Sequence, residues 1–261
     1  MFYSENFSFN GIDNESMDIA LVATENTDII NQLGTVYIEN IKVENTRTNN
    51  PYYLFESRET ETLTLEFAYV DLESQVALPW DEEKIDEVVN WLFTDTFKPF
   101  ISQDNDELVY YLKAIKIYKK FNEKMEGLLE VEFQPYTAYA YRPITYKVIC
   151  DESIEYKVEN ISTVLDEYYE PIIEIKKTKD IGNVQIENIS IENDKPLVLE
   201  NMKVNETIII DNHNFTVFNT EGENKFSSCN RQWIRFKKGK NTLKIMGSCE
   251  LLIKCNYPKI V

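Results

Sequence analysis

Apolar and polar residues alternate along much of this chain with a period of two, the spacing of strands that bury one face. The run 127–134 is the clearest case: Leu129, Val131 and Phe133 alternate with Glu130, Glu132 and Gln134. Pro135 forbids continuation in a sheet interior, because it has no N–H to donate. Tyr136, Tyr139 and Tyr141 follow in a segment with too little pattern for a strand and too many aromatics for a solvated linker. Arg142-Pro143 closes it, and Ile144 begins a new apolar run. This stretch reads as the joint between two β-rich halves, giving domains 1–142 and 143–261.

In the first half, residues 2–12 alternate weakly and end at the turn signal Asn10-Gly11. Residues 17–23 and 36–43 read as strands, with the turn-rich segment 26–34 between them. The aperiodic 44–50 reads as a loop or hairpin tip flanked by strands 52–55 and 63–69. In the second of these, Leu63, Leu65, Phe67 and Tyr69 point inward. One helix is predicted. Asp81 is its cap, and Asp81, Glu82 and Glu83 oppose the positive end of the dipole. Ile85, Val88, Val89 and Leu92 form its apolar stripe, and Lys98-Pro99 lies beyond its end. Residues 108–121 read as a long strand. Its mixed row Tyr111, Lys113, Ile115, Ile117 and Lys119 predicts a twist or bulge.

The second half shows only short strands, among them 144–149, 154–158, 172–176, 184–191, 207–210, 233–237 and 251–255. Turns such as Gly182-Asn183, 194–196 and 211–214 separate them. That spacing predicts a β-sandwich. The fold class is therefore mainly β, with one amphipathic helix in the N-terminal half.

Composition narrows the function classes. The 261 residues are 43% hydrophobic, ample for a core. The net charge of −18 argues against nucleic acid as the main partner. Charge is uneven: from Arg231 onward eight basic residues face Glu250 alone, a basic strand face or a contact with a different neighbour. The N-terminus shows no secretory pattern. No apolar stretch approaches the ~18 residues of a membrane span, so no membrane insertion is expected. Cys150, Cys229, Cys249 and Cys255 contain no CxxC spacing. They read as buried thiols. Cys249 and Cys255 share one strand face, too far apart along it to bridge.

Catalytic chemistry is not legible. His213 is the single histidine and sits in the turn Asp211-Asn212-His213-Asn214, with no second partner for a triad. The carboxylate pairs Glu130/Glu132 and Asp104/Asp106 carry no specificity in so acidic a chain. Residues 104–107 lack the glycine and distal glutamate of a calcium loop. None of the seven glycines forms a phosphate cradle. No catalytic, cofactor-binding or metal-binding residue is assigned, and no enzyme is expected. Tyr136, Tyr139, Tyr141, Tyr168 and Tyr169 suit sugar stacking or interface packing, with packing the commoner use.

Several motifs together resemble the distal tail (Dit) proteins of long-tailed bacteriophages. They are Phe7-Ser8-Phe9-Asn10-Gly11, the strand approach Arg58–Phe67, the helix-ending pair Trp91-Leu92, Lys98-Pro99-Phe100-Ile101 and the tyrosine-rich run 104–114. The most specific is 127–139, similar to the segment that closes the family's first domain. In the second half Glu170-Pro171-Ile172-Ile173, the strand Thr207–Asp211 and Phe236-Lys237-Lys238-Gly239-Lys240-Asn241 are also similar. The chain departs from the family at 48–51, Ile161 and Lys238, which concerns loop shape more than fold.

The resemblance implies a split-barrel, tail-tube-like first domain and a galectin-like second domain. It implies a virion structural protein that forms a hexameric ring at the tail tip. That homo-oligomer would join the tail tube protein to the tail-associated hub protein, with receptor-binding proteins attached outside. DNA would meet it only in passage through the channel, whose acidic walls would repel phosphate. Assembly would take place in the host cytoplasm. Tyr136, Tyr139, Tyr141, Trp233 and Arg235 are the candidate interface residues. A second reading is a carbohydrate-binding protein in which Trp233, flanked by Arg231 and Arg235, stacks on host cell-wall glycan. A third is a tailocin component of the same fold.

Overall fold

The computed structural model describes residues 4, 6–22, 37–43, 52–60, 62–71, 73–74, 76–164 and 168–260, and for 37–43 and 52–59 the backbone alone. The turn-rich segment 26–34 and the tip 44–50 lie outside the described residues. The chain divides into two compact units, Met1–Tyr141 with Ile260–Val261, and Arg142–Lys259.

The strands of the first unit are β1 Phe7–Phe9, β2 Ile12–Asp13, β3 Ile19–Leu21, β4 Tyr37–Val43, β5 Tyr52–Glu59, β6 Leu63–Asp71, β7 Val76–Ala77, β8 Lys98–Ser102, β9 Tyr110–Phe121 and β10 Gly127–Pro135. One sheet runs in the order β2-β1-β8-β9-β10-β6-β3, with β7 on β6. β4 pairs separately with β5, so the hairpin around 44–50 has β4 and β5 as its arms, rather than β5 and β6. β6 pairs instead with β10 and β3, because its alternating apolar face belongs to the main core.

The inward row of β10 is Leu129, Val131 and Phe133, each fully buried. Opposite them, the register of β9 jumps from Lys116 to Ala114 between Glu132 and Phe133. Ile115 is the extra residue, so the expected bulge is real. It reverses the parity of β9: Tyr110, Leu112 and Ala114 point to the core before it, Ile117 and Phe121 after it. Charged outer positions pair across the same strands. Lys116 meets Glu132 at 2.8 Å, and Lys120 bridges Glu66 at 2.7 Å and Glu130.

Helix α1, Glu82–Leu92, packs on the apolar side of this sheet. The Asp81 carboxylate accepts from the Lys84 N–H at 2.7 Å, which caps it. Ile85, Val88, Trp91 and Leu92 are buried. Trp91 Nε1 donates to Phe9 O at 3.0 Å, and its ring stacks on Phe7 at 5.8 Å. Just before the helix, Trp80 stacks on Phe121 at 5.7 Å and donates to Gly127 O at 3.0 Å. Gly127 has φ +151, and a Cβ there would stand 2.0 Å from Lys120 O. Only glycine lets β9 and β10 close that tightly.

The strands of the second unit are β11 Ala140–Cys150, whose first two residues belong to the first unit, β12 Ser153–Asn160, β13 Ile172–Lys177, β14 Val184–Asn188, β15 Leu197–Leu199, β16 Thr207–Asp211, β17 Thr216–Asn219, β18 Gly239–Met246 and β19 Cys249–Lys259. A five-stranded sheet, β11-β19-β13-β16-β17, faces a four-stranded one, β12-β18-β14-β15. Ile173, Ile175, Ile208, Ile210, Leu251 and Ile253 of the first join Val158, Ile186, Leu243 and Ile245 of the second in one core. That common core makes the unit a β-sandwich. β11 starts four residues earlier than predicted and runs through Pro143. It is an edge strand, where a missing N–H costs no ladder bond. The predicted strand 233–237 is not one. After Arg231, which turns the chain at φ +62, residues 232–237 run without a regular ladder, and their sole pairing is a bridge from Phe236 to Tyr169.

Candidate functional site

In the first unit the chain end of β10 gathers tyrosines. The Tyr136 N–H donates to Tyr111 O at 2.8 Å, directly after Pro135. Val109 and Tyr141 exchange two backbone bonds of 2.8 Å. These bonds keep 136–141 alongside the start of β9, where Tyr141 meets Tyr111 edge to face at 5.5 Å. Thr137 Oγ1 lies 3.0 Å from the Tyr141 hydroxyl and 3.4 Å from the Tyr139 N–H. Burial pushes the Tyr141 phenol above its ordinary range, opposed by the Thr137 hydrogen bond. Tyr136 is different. It touches Phe97 at 5.2 Å yet stays 61% exposed. The structure thus brings Tyr136, Tyr139 and Tyr141 into one patch, with Tyr136 as its protruding member.

Trp233 and Arg235 lie on the strandless segment of the second unit. The expected alternation holds: Ile234 and Phe236 are fully buried, while Trp233 and Arg235 are partly exposed. The two do not form one platform. Trp233 meets Phe215 edge to face at 5.3 Å and Phe226 at 6.2 Å. The Arg231 guanidinium lies 5.0 Å over Phe226, and that of Arg235 lies 4.2 Å over Tyr168. Arg235 also reaches Asp194 at 3.5 Å. Burial pushes the Asp194 carboxyl up, against the pull of Arg235.

What holds this segment without a ladder is not legible in the sequence. Asn212 is fully buried; its Oδ1 accepts the Ile234 N–H at 2.8 Å, and its Nδ2 donates to Pro171 O at 2.6 Å. Asn188 Nδ2 donates to Arg235 O at 2.7 Å and to Asn241 Oδ1 at 3.0 Å. Asn160 Nδ2 donates to Phe236 O at 3.3 Å. Asn241 Oδ1 accepts the Lys237 N–H at 3.0 Å, and its Nδ2 returns to Lys237 O at 2.8 Å. Four buried asparagines replace the missing neighbouring strand. Each amide offers both a donor and an acceptor, the pair of groups that a backbone would present. The only sequence signal is the frequency of asparagine at strand ends, where turn residues are the ordinary reading.

Among the described residues no group of histidine, cysteine and carboxylate side chains could hold a metal ion. His213 is an exposed turn residue with Nδ1 3.0 Å from Glu170 Oε2; Asp211 Oδ1 accepts its N–H at 3.0 Å. All four cysteines are buried and unbridged. Burial pushes the Cys249 and Cys255 thiols up to about 12. What these surfaces offer is aromatic area and paired charge, which suits contact with another macromolecule.

The phage tail protein N-terminal domain family matches residues 2–135, and the phage tail C-terminal domain family matches residues 139–255. The SPbeta prophage-derived protein YomH of Bacillus subtilis (strain 168) is 25% identical over 259 residues, covering 97% of both chains. Among solved structures, the SPP1 Dit protein (gp 19.1) aligns over 97% of this chain and 98% of its own. Its TM-score is 0.67 at 13% identity, and it is described as a paradigm of the hub adsorption apparatus in phages infecting Gram-positive bacteria. A chain of the phage P2 baseplate, in its activated conformation with Ca, aligns over 96% and 97% with a TM-score of 0.55 at 10% identity. The fold shared with these proteins is therefore that of the whole chain.

Proposed function

This chain belongs to the phage tail protein family, and from that premise we propose that it is a distal tail protein, a structural component of the tail tip. The observation that carries the reading is the match of both halves to tail protein domains in one chain, together with a fold shared end to end with SPP1 Dit. In this reading the first unit builds a ring of six copies around a central channel. The ring stacks on the tail tube protein and seats the tail-associated hub protein below. The second unit, taken as the galectin-like domain, points outward, where receptor-binding proteins attach. Copies are made and assembled in the host cytoplasm, and DNA passes through the lumen. The protein acts by shape, with no bond made or broken.

The exposed Tyr136, with Tyr139 and Tyr141 beneath it, is the surface we assign to contact between neighbouring copies or with the tail tube. Trp233 and Arg235 are assigned to outer contacts. Light scattering on the purified full chain tests the reading. A particle of six copies or a multiple of six, or a smaller one that becomes six when mixed with its hub neighbour, is expected. A chain that stays single with that neighbour present would sink it. Glycan binding by Trp233 gains no support from the geometry, because Phe215 and Phe226 already flank its ring.

A further inference from the structure

Sheet edges are hazards, since unpaired N–H and C=O groups recruit other strands. The sandwich covers most of its own. β15 is closed by Asn230, whose N–H donates to Val198 O at 3.1 Å while its Oδ1 accepts the Val198 N–H at 3.0 Å. β17 is closed by a bridge from Phe218 to Asn224. β11 carries Pro143 on its edge. β12 is treated differently.

The pairing of β18 shows which groups of β12 are free. The Ile189 N–H donates to Thr242 O, so Thr242 faces β14, and its neighbours Asn241 and Leu243 face β12. Their partners are Val158 and Tyr156. The even-numbered residues of β12 therefore bond to β18, and Ser153, Glu155, Lys157 and Glu159 turn their backbone outward. At Glu159 the outward groups are occupied: the Tyr146 hydroxyl accepts the Glu159 N–H at 3.3 Å and donates to Glu159 O at 3.1 Å. Among the described residues no such partner meets Ser153, Glu155 or Lys157.

The charges along this open edge are self-complementary. Glu155 faces Lys244 across the ladder, but Lys157 faces the uncharged Thr242, and neither Glu155 nor Lys157 makes an ion pair among the described residues. We infer that the open edge of β12 docks the same edge of a second copy, antiparallel and centred on Tyr156. In that register Glu155 lies opposite Lys157 of the second copy, and Lys157 opposite its Glu155. Both pairs fall at positions whose N–H and C=O groups point outward, so two-fold symmetry supplies four backbone bonds and two opposite-charge pairs. A register centred one residue earlier would set Glu155 against Glu155. The hydroxyl cap at Glu159 ends the ladder at the right length. The proposal concerns the second unit and does not depend on how the first unit assembles.

Two charge variants of the full chain test it by sedimentation velocity over a concentration series. Glu155→Lys and Lys157→Glu each place like charges opposite each other, so each alone should sediment at half the mass of the unaltered chain. Mixed in equal amounts they are complementary: position 155 of one and position 157 of the other again carry opposite charges, and the full mass should return. Recovery in the mixture also shows that both variants are folded. Lys157→Pro removes an outward N–H without touching the β18 ladder and should stay at half mass even when mixed. Masses unchanged by all three substitutions, or no recovery on mixing, would overturn the proposal. Neither outcome bears on a ring built by the first unit, which all three variants leave intact.

Discussion

The Asn188 side chain holds Arg235 by its carbonyl, Nδ2 to O at 2.7 Å, across 47 positions of sequence. The same amide nitrogen reaches Asn241 Oδ1 at 3.0 Å, and Asn188 Oδ1 accepts the Ser190 N–H at 3.2 Å. One buried amide thus joins three stretches of the second unit.

Removing it should be costly. Asn188→Ala leaves two acceptors and one donor without that partner, and buried unpaired groups cost ~1–3 kcal/mol each. A loss of ~3 kcal/mol is expected. Trp233 is the one tryptophan of the second unit, so urea unfolding followed by its fluorescence reads this change. A midpoint within error of the unaltered chain would show that the asparagine framework is not what holds the segment.

The first unit should respond to its helix cap. Asp81→Ala removes the acceptor for the Lys84 N–H and should cost ~1 kcal/mol. Asp81→Ser keeps an acceptor and should recover most of it. Thermal unfolding of the pair gives the comparison.

Gly127→Ala should be worse than any cap change. The added Cβ would fall 2.0 Å from Lys120 O, a backbone atom that cannot swing away, in a region of φ that other residues avoid. A loss of ~3 kcal/mol or more is expected, seen as low soluble yield or a collapsed unfolding midpoint.

Alkaline pH should loosen the second unit through its buried thiols. Cys249 and Cys255 are pushed from 9.0 up to about 12 by burial. A raised thiol pKa favours the folded state fully below the unfolded value, and the advantage is lost as pH climbs toward the folded one. Stability should therefore fall between about 9 and 12. Cys249→Ala should flatten part of that slope, and native thiols should react slowly with a disulfide reagent until unfolding.

Tyr136→Ala separates assembly from folding. Tyr136 is 61% exposed, so stability should change by only ~0.5 kcal/mol. Self-association of the first unit should weaken at least about tenfold, the effect of losing an aromatic anchor of ~1.4 kcal/mol. Light scattering against concentration measures it.

Much of this is readable in advance because the signal is local. Leu129, Val131 and Phe133 announce β10, and Ile85, Val88 and Leu92 announce α1 beside its Asp81 cap. Even the bulge at Ile115 leaves a trace in the mixed parity of β9. The failures share a cause. Alternation predicts a strand over 233–237, and the alternation is real, but it records burial and not pairing. The pairing groups are side chains of Asn160, Asn188, Asn212 and Asn241, and nothing within 231–238 points to them. The predicted start of β11 is too late because Pro143 reads as a stop, and whether a strand is at an edge is a property of the sheet. Tyr136, Tyr139 and Tyr141 stand out by composition alone; their arrangement depends on backbone bonds to 109 and 111.

The asparagine framework grips 234–237 by main-chain atoms. None of those bonds uses the side chain of Trp233 or Arg235, which lean instead on Phe215 and Phe226 and on Tyr168 and Asp194. Substitution at 233 and 235 therefore leaves the backbone grip standing, so variation among relatives should fall more on these two positions than on the four amides.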